Sequence, residues 1–417
     1  MSEVDGRTVS RRVVLGGVAA GFAGVLPVRK ASPVGEAAID AVAGRLDREL
    51  IALRRDLHRH PEGPGDERRT SGIVACRLRD AGLEVVTGVG GYGVVGVLRG
   101  ARPGRTVAFR ADMDAVPPQD QVNGGPDVAH LCGHDIHTAV GIGVAEVLAR
   151  LRHRLAGNVV FVFQPAEESV SGAAAMLADG AFARTVPVEI HALHCWAVDV
   201  GRFVVTPGFG LPGQDRGTVT LTGPDAAGQA ERLATALNAL STVRAPSTSE
   251  ELDRLVADIE RPDGPLREFV YLRAQAAQDQ VRVMSRCWPE RNYVAVREEI
   301  RRLAGPATVT FPADPRPAMV CPEPEGIAMQ RYLTRTLGAG QVGRAHAAVP
   351  FSGEDFGYFL DGMPGTYTLL GVRRPGEDVM TAYPHFGTFD PDERAIGHGV
   401  RVMVGWLSTR SRPLIGL

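Results

Sequence analysis

From residue 36 onward, apolar side chains recur at three- and four-residue spacing through IDAVAGRLDRELIALRRDLHRHPE, which predicts a helix that stops at His60-Pro61. DERRTSGIVACRLRDAGLEVV predicts a second helix, closed by Gly82 and followed by a strand. GVVGVLRG and RTVAFRADMDA are β-rich runs around a Pro-Gly turn. HLCGHDIHT then opens a helix that continues through TAVGIGVAEVLARLRHRL. NVVFVFQPAEE is a continuous apolar run with polar residues at its end, which suits a strand covered on both faces of an α/β sheet. EIHALHCWA predicts another strand.

The middle of the chain changes character. RGTVTLTG, AAGQAERLATALNALSTV, REFVYLRAQ, QVRVMSRCW, ERNYVAVREEIRRLAG and ATVTF give the order β-α-β-β-α-β over about residues 215–312, with a polar stretch after the first helix. That order is ferredoxin-like. α/β patterning resumes through EGIAMQRYLTRTLG, GTYTLLGV and a last helix, DERAIGHGVRVMVGWLST. The expected architecture is a two-domain α/β protein with an inserted ferredoxin-like (α+β) lid. The boundaries are a signal-like segment at 1–36, a catalytic domain at 37–212 and 313–417, and a lid at 213–312. The 417 residues exceed one ordinary core, in line with two domains.

Composition narrows the function classes. A hydrophobic content of 44% with 23% charged residues fits a soluble globular protein, and a formal net charge of −2 argues against a nucleic-acid partner. The five scattered cysteines do not form a disulfide framework. TVSRRVVLGGVAAGFAGVLPV places Arg11 and Arg12 before an apolar run too short to span a membrane. This resembles a twin-arginine export signal, a receptor-read address and not an anchor. Export is the expected localisation, with a cytoplasmic enzyme carrying a disordered tail as the alternative.

Four islands concentrate chemistry: Cys132-Gly133-His134 with Asp135 and His137; Gln164-Pro165-Ala166-Glu167-Glu168 at a strand end; His191 and His194; and His385 in PHFGTFDPDE. A thiolate, imidazoles and carboxylates form a ligand set for a borderline metal such as Zn²⁺. Of two adjacent carboxylates, one can bind metal while the other acts as a base on water. His191 and His194 differ by an odd number on a strand and so face opposite ways. Three alternatives stand beside a catalytic metal site. A Cys132–histidine nucleophile pair leaves the two glutamates unexplained. A lone structural zinc site would use more cysteines. A non-enzymatic binding protein would have no need of a second carboxylate.

The strings LHRHPE with Thr70, RADMDAVP, CGHDIHT, QPAEES, LHCWAVDVGRF, SGEDFGYFL…MPG and HFGTFDPDE stand in one order along the chain. Together they resemble the M20 metallopeptidase family, specifically its amidohydrolase branch of aminoacylases, hippurate hydrolases and hydrolases of indoleacetic-acid–amino-acid conjugates. The resemblance covers about residues 45–210 and 315–410. It implies a zinc-peptidase-like catalytic domain and two divalent metal ions, Zn²⁺ first with Mn²⁺ or Co²⁺ as alternatives. It implies Cys132, His134, Glu168, His194 and His385 as ligands, with Cys132 bridging. Glu167 falls on the general base that activates water between the metals, and Asp114 on a supporting carboxylate. His137 matches a histidine that is not a ligand. Glu354 and Asp355 match a structural turn near the site. The implied substrate is an N-acyl amino acid or related small amide, with Arg286 placed for its carboxylate and a structural salt bridge as that arginine's alternative. A homodimer through the lid is also implied.

The chain departs from the family in the lid. There the family carries a histidine that reaches the tetrahedral oxyanion of the partner subunit; here the segment reads TLTGPDAAGQAERL. His346 in HAAVP lies outside the lid and is no substitute. The expectation is therefore a hydrolase weak on simple N-acetyl and N-benzoyl amino acids, with Arg286 the first candidate for the missing donor. The alternative is a metal-binding relative that binds small molecules with little or no turnover.

Overall fold

The structure, a computed structural model, describes residues 34–413; the segment read as an export signal lies outside them. Helices α1 (Glu36–Arg59) and α2 (Arg68–Asp80) precede strands β1 (Glu84–Val89), β2 (Gly93–Arg99) and β3 (Arg102–Asp112). Next come α3 (His134–Arg150), β4 (Ala156–Gln164), α4 (Gly172–Ala178), β5 (Ile190–Asp199), β6 (Phe203–Val205) and β7 (Gly210–Leu211). A smaller unit follows, with β8 (Asp215–Thr220), α5 (Ala226–Asn238), α6 (Ser249–Ile259), β9 (Phe269–Ala277), β10 (Gln280–Trp288), α7 (Asn292–Ala304) and β11 (Thr308–Thr310). The chain returns through β12 (Met319–Val320), α8 (Glu323–Leu337), β13 (Val342–Arg344), α9 (Gly357–Gly362), β14 (Gly365–Arg373) and α10 (Arg394–Arg410).

The large sheet runs β1-β2-β4-β3-β5-β14-β6-β13, and its centre, β4-β3-β5-β14, is parallel. Helix α3 is buried along nearly its whole length between this sheet and helices α1 and α10, which explains its apolar sequence. Parallel strands covered on both faces read as unbroken apolar runs, as β4 does. The lid sheet runs β11-β8-β10-β9, all antiparallel, with α5 and α7 packed on one face. This is the ferredoxin-like arrangement that the element order predicts. All five cysteines are free and four are buried, so no disulfide framework exists.

One element departs from the expected pattern. The polar stretch after α5 contains helix α6, whose Leu252, Leu255, Val256 and Ile259 join the core of the large domain rather than that of the lid. Thr248 caps it by accepting from the Glu251 N–H, and Glu251 accepts from the Ser247 N–H in return. Such a reciprocal cap satisfies two backbone donors that the helix leaves open.

At the amino-terminal end of β5, opposite the end that carries the site, Glu189 is clamped between Arg105 and Arg410 at 2.5 and 2.6 Å. This ties β3, the lead-in to β5 and α10. Burial opposes ionisation of Glu189, but the hydrogen bonds from His191 and Arg410 hold its carboxyl at about 2, below the ordinary 4.5. The stabilisation is complete above pH 4.5 and is lost as the pH falls toward 2. Glu189→Gln is expected to cost about 3 kcal/mol at neutral pH, because the buried ion pairs lose a partner. Denaturant unfolding should show that gap shrinking below pH 4.5; a gap that is constant with pH would contradict the ion-pair origin.

Candidate metal centre

The site lies at the carboxyl ends of the parallel strands, the usual place for ligands in such sheets. Gly133 supplies the turn into α3 with φ of 89°, and a side chain there would meet Cys195 Sγ at 2.6 Å. This turn puts Cys132 and His134 beside one cluster. At the end of β4, Ala166 adopts a left-handed φ of 53°, and its N–H donates to Glu67 Oε1 at 2.8 Å. The bend lets both neighbouring carboxylates, Glu167 and Glu168, reach the site. His385 also sits in the left-handed region, at φ 69°. Strained backbone of this kind persists only where surroundings over-determine it.

Three imidazoles are oriented by the same device. His134 Nδ1 donates to the Asp114 carbonyl at 2.8 Å, His194 Nδ1 to the Cys195 carbonyl at 2.9 Å, and His385 Nδ1 to the Asp120 carbonyl at 3.0 Å. A carbonyl only accepts, so each Nδ1 carries a proton and each Nε2 is the ring atom left to face the cluster. His194 Nε2 lies 3.4 Å from Cys132 Sγ, and His385 Nε2 lies 3.3 Å from Glu168 Oε2. His134 Nε2 lies 3.8 Å from both Glu167 Oε2 and Glu168 Oε1. Two ligands bound tetrahedrally at zinc distances are separated by about 3.4 Å, so the spacing suits shared ions.

The buried polar atoms make the same point. His134 Nε2 and Glu168 Oε1 are buried and have no hydrogen-bond partner. Burial, with Glu168 and Glu167 nearby, pushes the Cys132 thiol well up. Burial also raises Glu168, and it raises Glu167 strongly, reinforced by Glu354 and Glu168. His134 goes the other way: burial disfavours its charge, yet Asp112 and Asp114 lift it to about 10. Metal binding requires thiolate, carboxylates and neutral imidazole, and the charge of a divalent cation would favour those forms. The donor set therefore fits a pair of divalent metals.

Of the sequence-predicted residues, Cys132, His134, Glu168, His194 and His385 converge, and Glu167 stands beside them. Asp114 supports from behind, touching His134 Nδ1 at 3.3 Å and accepting the Glu168 N–H at 2.8 Å. His137 has no free nitrogen: Nε2 accepts the Cys195 N–H, so Nδ1 donates to Asp112. His191 points to the opposite face of β5, where it meets Thr366 and Trp406. His58, in the last turn of α1, contacts Asp135 Oδ2 at 2.9 Å.

Sequence reasoning passed over Arg110. This guanidinium is fully buried and reaches Gln164, Asp112, Glu354 and Asp355 at 2.5–3.3 Å. Tyr367 donates its hydroxyl to Glu354 at 2.8 Å. Glu354 and Asp355 are thus clamps on an arginine beneath Glu167 rather than a mere turn.

A cavity of about 980 Å³ separates this floor from the lid sheet. Arg286 of β10 lines it, with Nε and Nη1 buried and unpartnered. Burial lowers Arg286 to about 10, which leaves it charged at neutral pH. Tyr383, whose buried hydroxyl also lacks a partner, lines the same cavity; no sequence motif marked it. Asp225 of the altered lid segment is instead exposed and paired with Arg232 at 2.7 Å.

Residues 108–409 match the profile of peptidase family M20/M25/M40. Over 387 residues the chain is 28% identical to the N-acetyldiaminopimelate deacetylase of Enterococcus faecalis, covering 87% of this chain and 97% of that protein. Over 181 residues it is 35% identical to the N-acyl-L-amino acid amidohydrolase of Geobacillus stearothermophilus, covering 42% of this chain and 49% of that protein. The crystal structure of the YXEP protein of Bacillus subtilis, a dinuclear metal binding peptidase, superimposes with a TM-score of 0.67 at 26% identity, over 88% of this chain and 98% of that one. The profile match covers well over half of the chain, and the protein belongs to peptidase family M20/M25/M40.

Proposed function

We propose that the protein hydrolyses the amide bond of an N-acyl amino acid or a related small amide. The observation that carries this reading is Glu167, a second carboxylate beside a complete ligand set, 3.8 Å from the unpartnered Nε2 of His134. Two divalent ions, Zn²⁺ first among them, held by Cys132, His134, Glu168, His194 and His385, would supply Lewis acidity toward the scissile carbonyl and toward water. Glu167 takes the proton of the attacking water and passes it to the leaving nitrogen. Asp114 keeps His134 and the Glu168 backbone in place. Arg286 receives the substrate carboxylate, and its unpartnered buried donors support that role. The relatives from Enterococcus faecalis and Geobacillus stearothermophilus, both named for amide cleavage, support the reaction class.

The altered lid segment favours a slow enzyme. Loss of one oxyanion donor costs about 10²–10³ in turnover. Tyr383, a cavity-lining residue whose buried hydroxyl has no partner, takes the donor role in this reading in place of Arg286, which holds the substrate carboxylate.

One panel of variants tests these assignments, with elemental analysis beside turnover on N-acyl amino acids. Cys132→Ser, His134→Ala and Glu168→Ala should lose metal, whereas His191→Gln should keep it. Full occupancy in both Cys132→Ser and His134→Ala would refute the site. Glu167→Gln should keep metal yet lose nearly all hydrolysis; wild-type turnover would show that another group is the base. Tyr383→Phe should lower kcat about 10²-fold with little change in KM. An unchanged kcat removes Tyr383 from the reaction.

A further inference from the structure

The lid face that roofs the cavity carries a row of cations without counter-charges. In the antiparallel register, Arg216 of β8 and Arg273 of β9 both lie opposite Met284 of β10. Thr218 and Gln275 flank Arg282 in the same way, and Tyr271 lies opposite Arg286. Directly opposed residues share a face, so Arg216, Arg273, Arg282 and Arg286 all project from one side. The other side holds Val219, Val281, Val283 and Leu272, packed under α5 and α7. All four arginines line the cavity.

Three other lid arginines are matched with acids, Arg297 with Asp215, Arg302 with Glu299 and Arg232 with Asp225, while Arg301 stacks on the Phe311 ring. The cavity-facing set is not matched. Arg216 meets only the neutral Gln214, at 2.8 Å. Among the described residues, Arg273, Arg282 and Arg286 have no ion pair or hydrogen bond. Arg216 lies close enough to disfavour the charge on Arg286. The acids lining the cavity, Asp120, Glu167 and Glu168, belong to its floor and wall, not to the lid. Like charges on neighbouring strands are destabilising, so a sheet face that concentrates them over a cavity suits an anionic occupant.

We infer that the preferred ligand carries at least two carboxylates: one on Arg286 and a second on the Arg216–Arg273 row. That row stands two residues along the strand from Arg286, or about 7 Å. A short dicarboxylate fits this spacing, with the second carboxylate either on the amino-acid side chain or at the end of the acyl chain. This deepens the amidohydrolase reading and rests on it for the place of the first carboxylate.

Calorimetric titration of the metal-loaded Glu167→Gln protein tests the idea without consuming ligand. N-acetylglutamate is compared with N-acetylglutamine, and N-glutarylglycine with its terminal amide. The two pairs distinguish a second charge on the amino acid from one on the acyl chain. In at least one pair the dianion should bind about tenfold tighter at low salt, with the ratio falling toward one in 0.5 M salt, about where screening shortens to a few ångströms. Adding Arg216→Gln and Arg273→Gln should abolish the preference; both side chains are exposed, and the salt series tests the same point on the unaltered lid. A ratio near one in both pairs, or a preference that survives the double change, overturns the inference. Absence of turnover on every amide by the wild type would sink the hydrolase reading instead, and would leave this ratio to be measured on its own.

Discussion

The site rests on a buried guanidinium. Arg110 sits beneath the ligand cluster with no access to water and holds Asp112, Glu354 and Asp355 at once. Taking such a charge out of water costs several kcal/mol unless its partners are well placed, and removing it would strand three buried acids. Asp112 precedes the lid in sequence, whereas Glu354 and Asp355 follow it. The ion cluster therefore joins the two halves of the catalytic fold across the insertion. From it the order propagates outward: Asp112 orients His137, His137 accepts the Cys195 N–H, and the Cys195 carbonyl orients His194.

A second layer of control is purely backbone. Three carbonyls orient three imidazoles, and left-handed turns at Gly133, Ala166 and His385 deliver Cys132, the glutamate pair and His385 itself to one point. Gly133 is required by its close approach to Cys195 as well as by its conformation. The side chains of the cluster are thus oriented by the protein's own hydrogen bonds, which would limit the reorganisation that ion binding demands. Above them the lid contributes charge rather than ligands, so floor and roof of the cavity are electrostatically opposite.

Much of this was legible in the residues. The apolar run of β4 and the mixed spacing of α1, α3 and α10 follow directly from burial on two faces or one. The β-α-β-β-α-β order of the lid survives in the sheet order β11-β8-β10-β9. The ligand islands came from residue type and spacing, and their roles from the resemblance. Helix α6 was missed although Thr248-x-x-Glu251 is a capping box and Leu252, Leu255, Val256 and Ile259 have helical spacing. Its polar composition hid it, because only one face is buried. Arg110 was missed for another reason: its partners lie 2, 54, 244 and 245 residues away, and nothing local distinguishes a buried arginine from a solvated one. Tyr383 and the arginine row emerge only once strands are paired and a cavity is drawn between two domains.

The two-metal reading depends on Cys132, His134, Glu168, His194 and His385 acting as one preformed ligand set. The most direct measurement is the metal content of the wild-type protein, refilled with Zn²⁺ after chelation, freed of excess ion and assayed by elemental analysis against protein concentration. Two ions per chain are predicted. A ratio of one or below, at saturating metal and with the fold intact, would contradict a two-metal centre at this site.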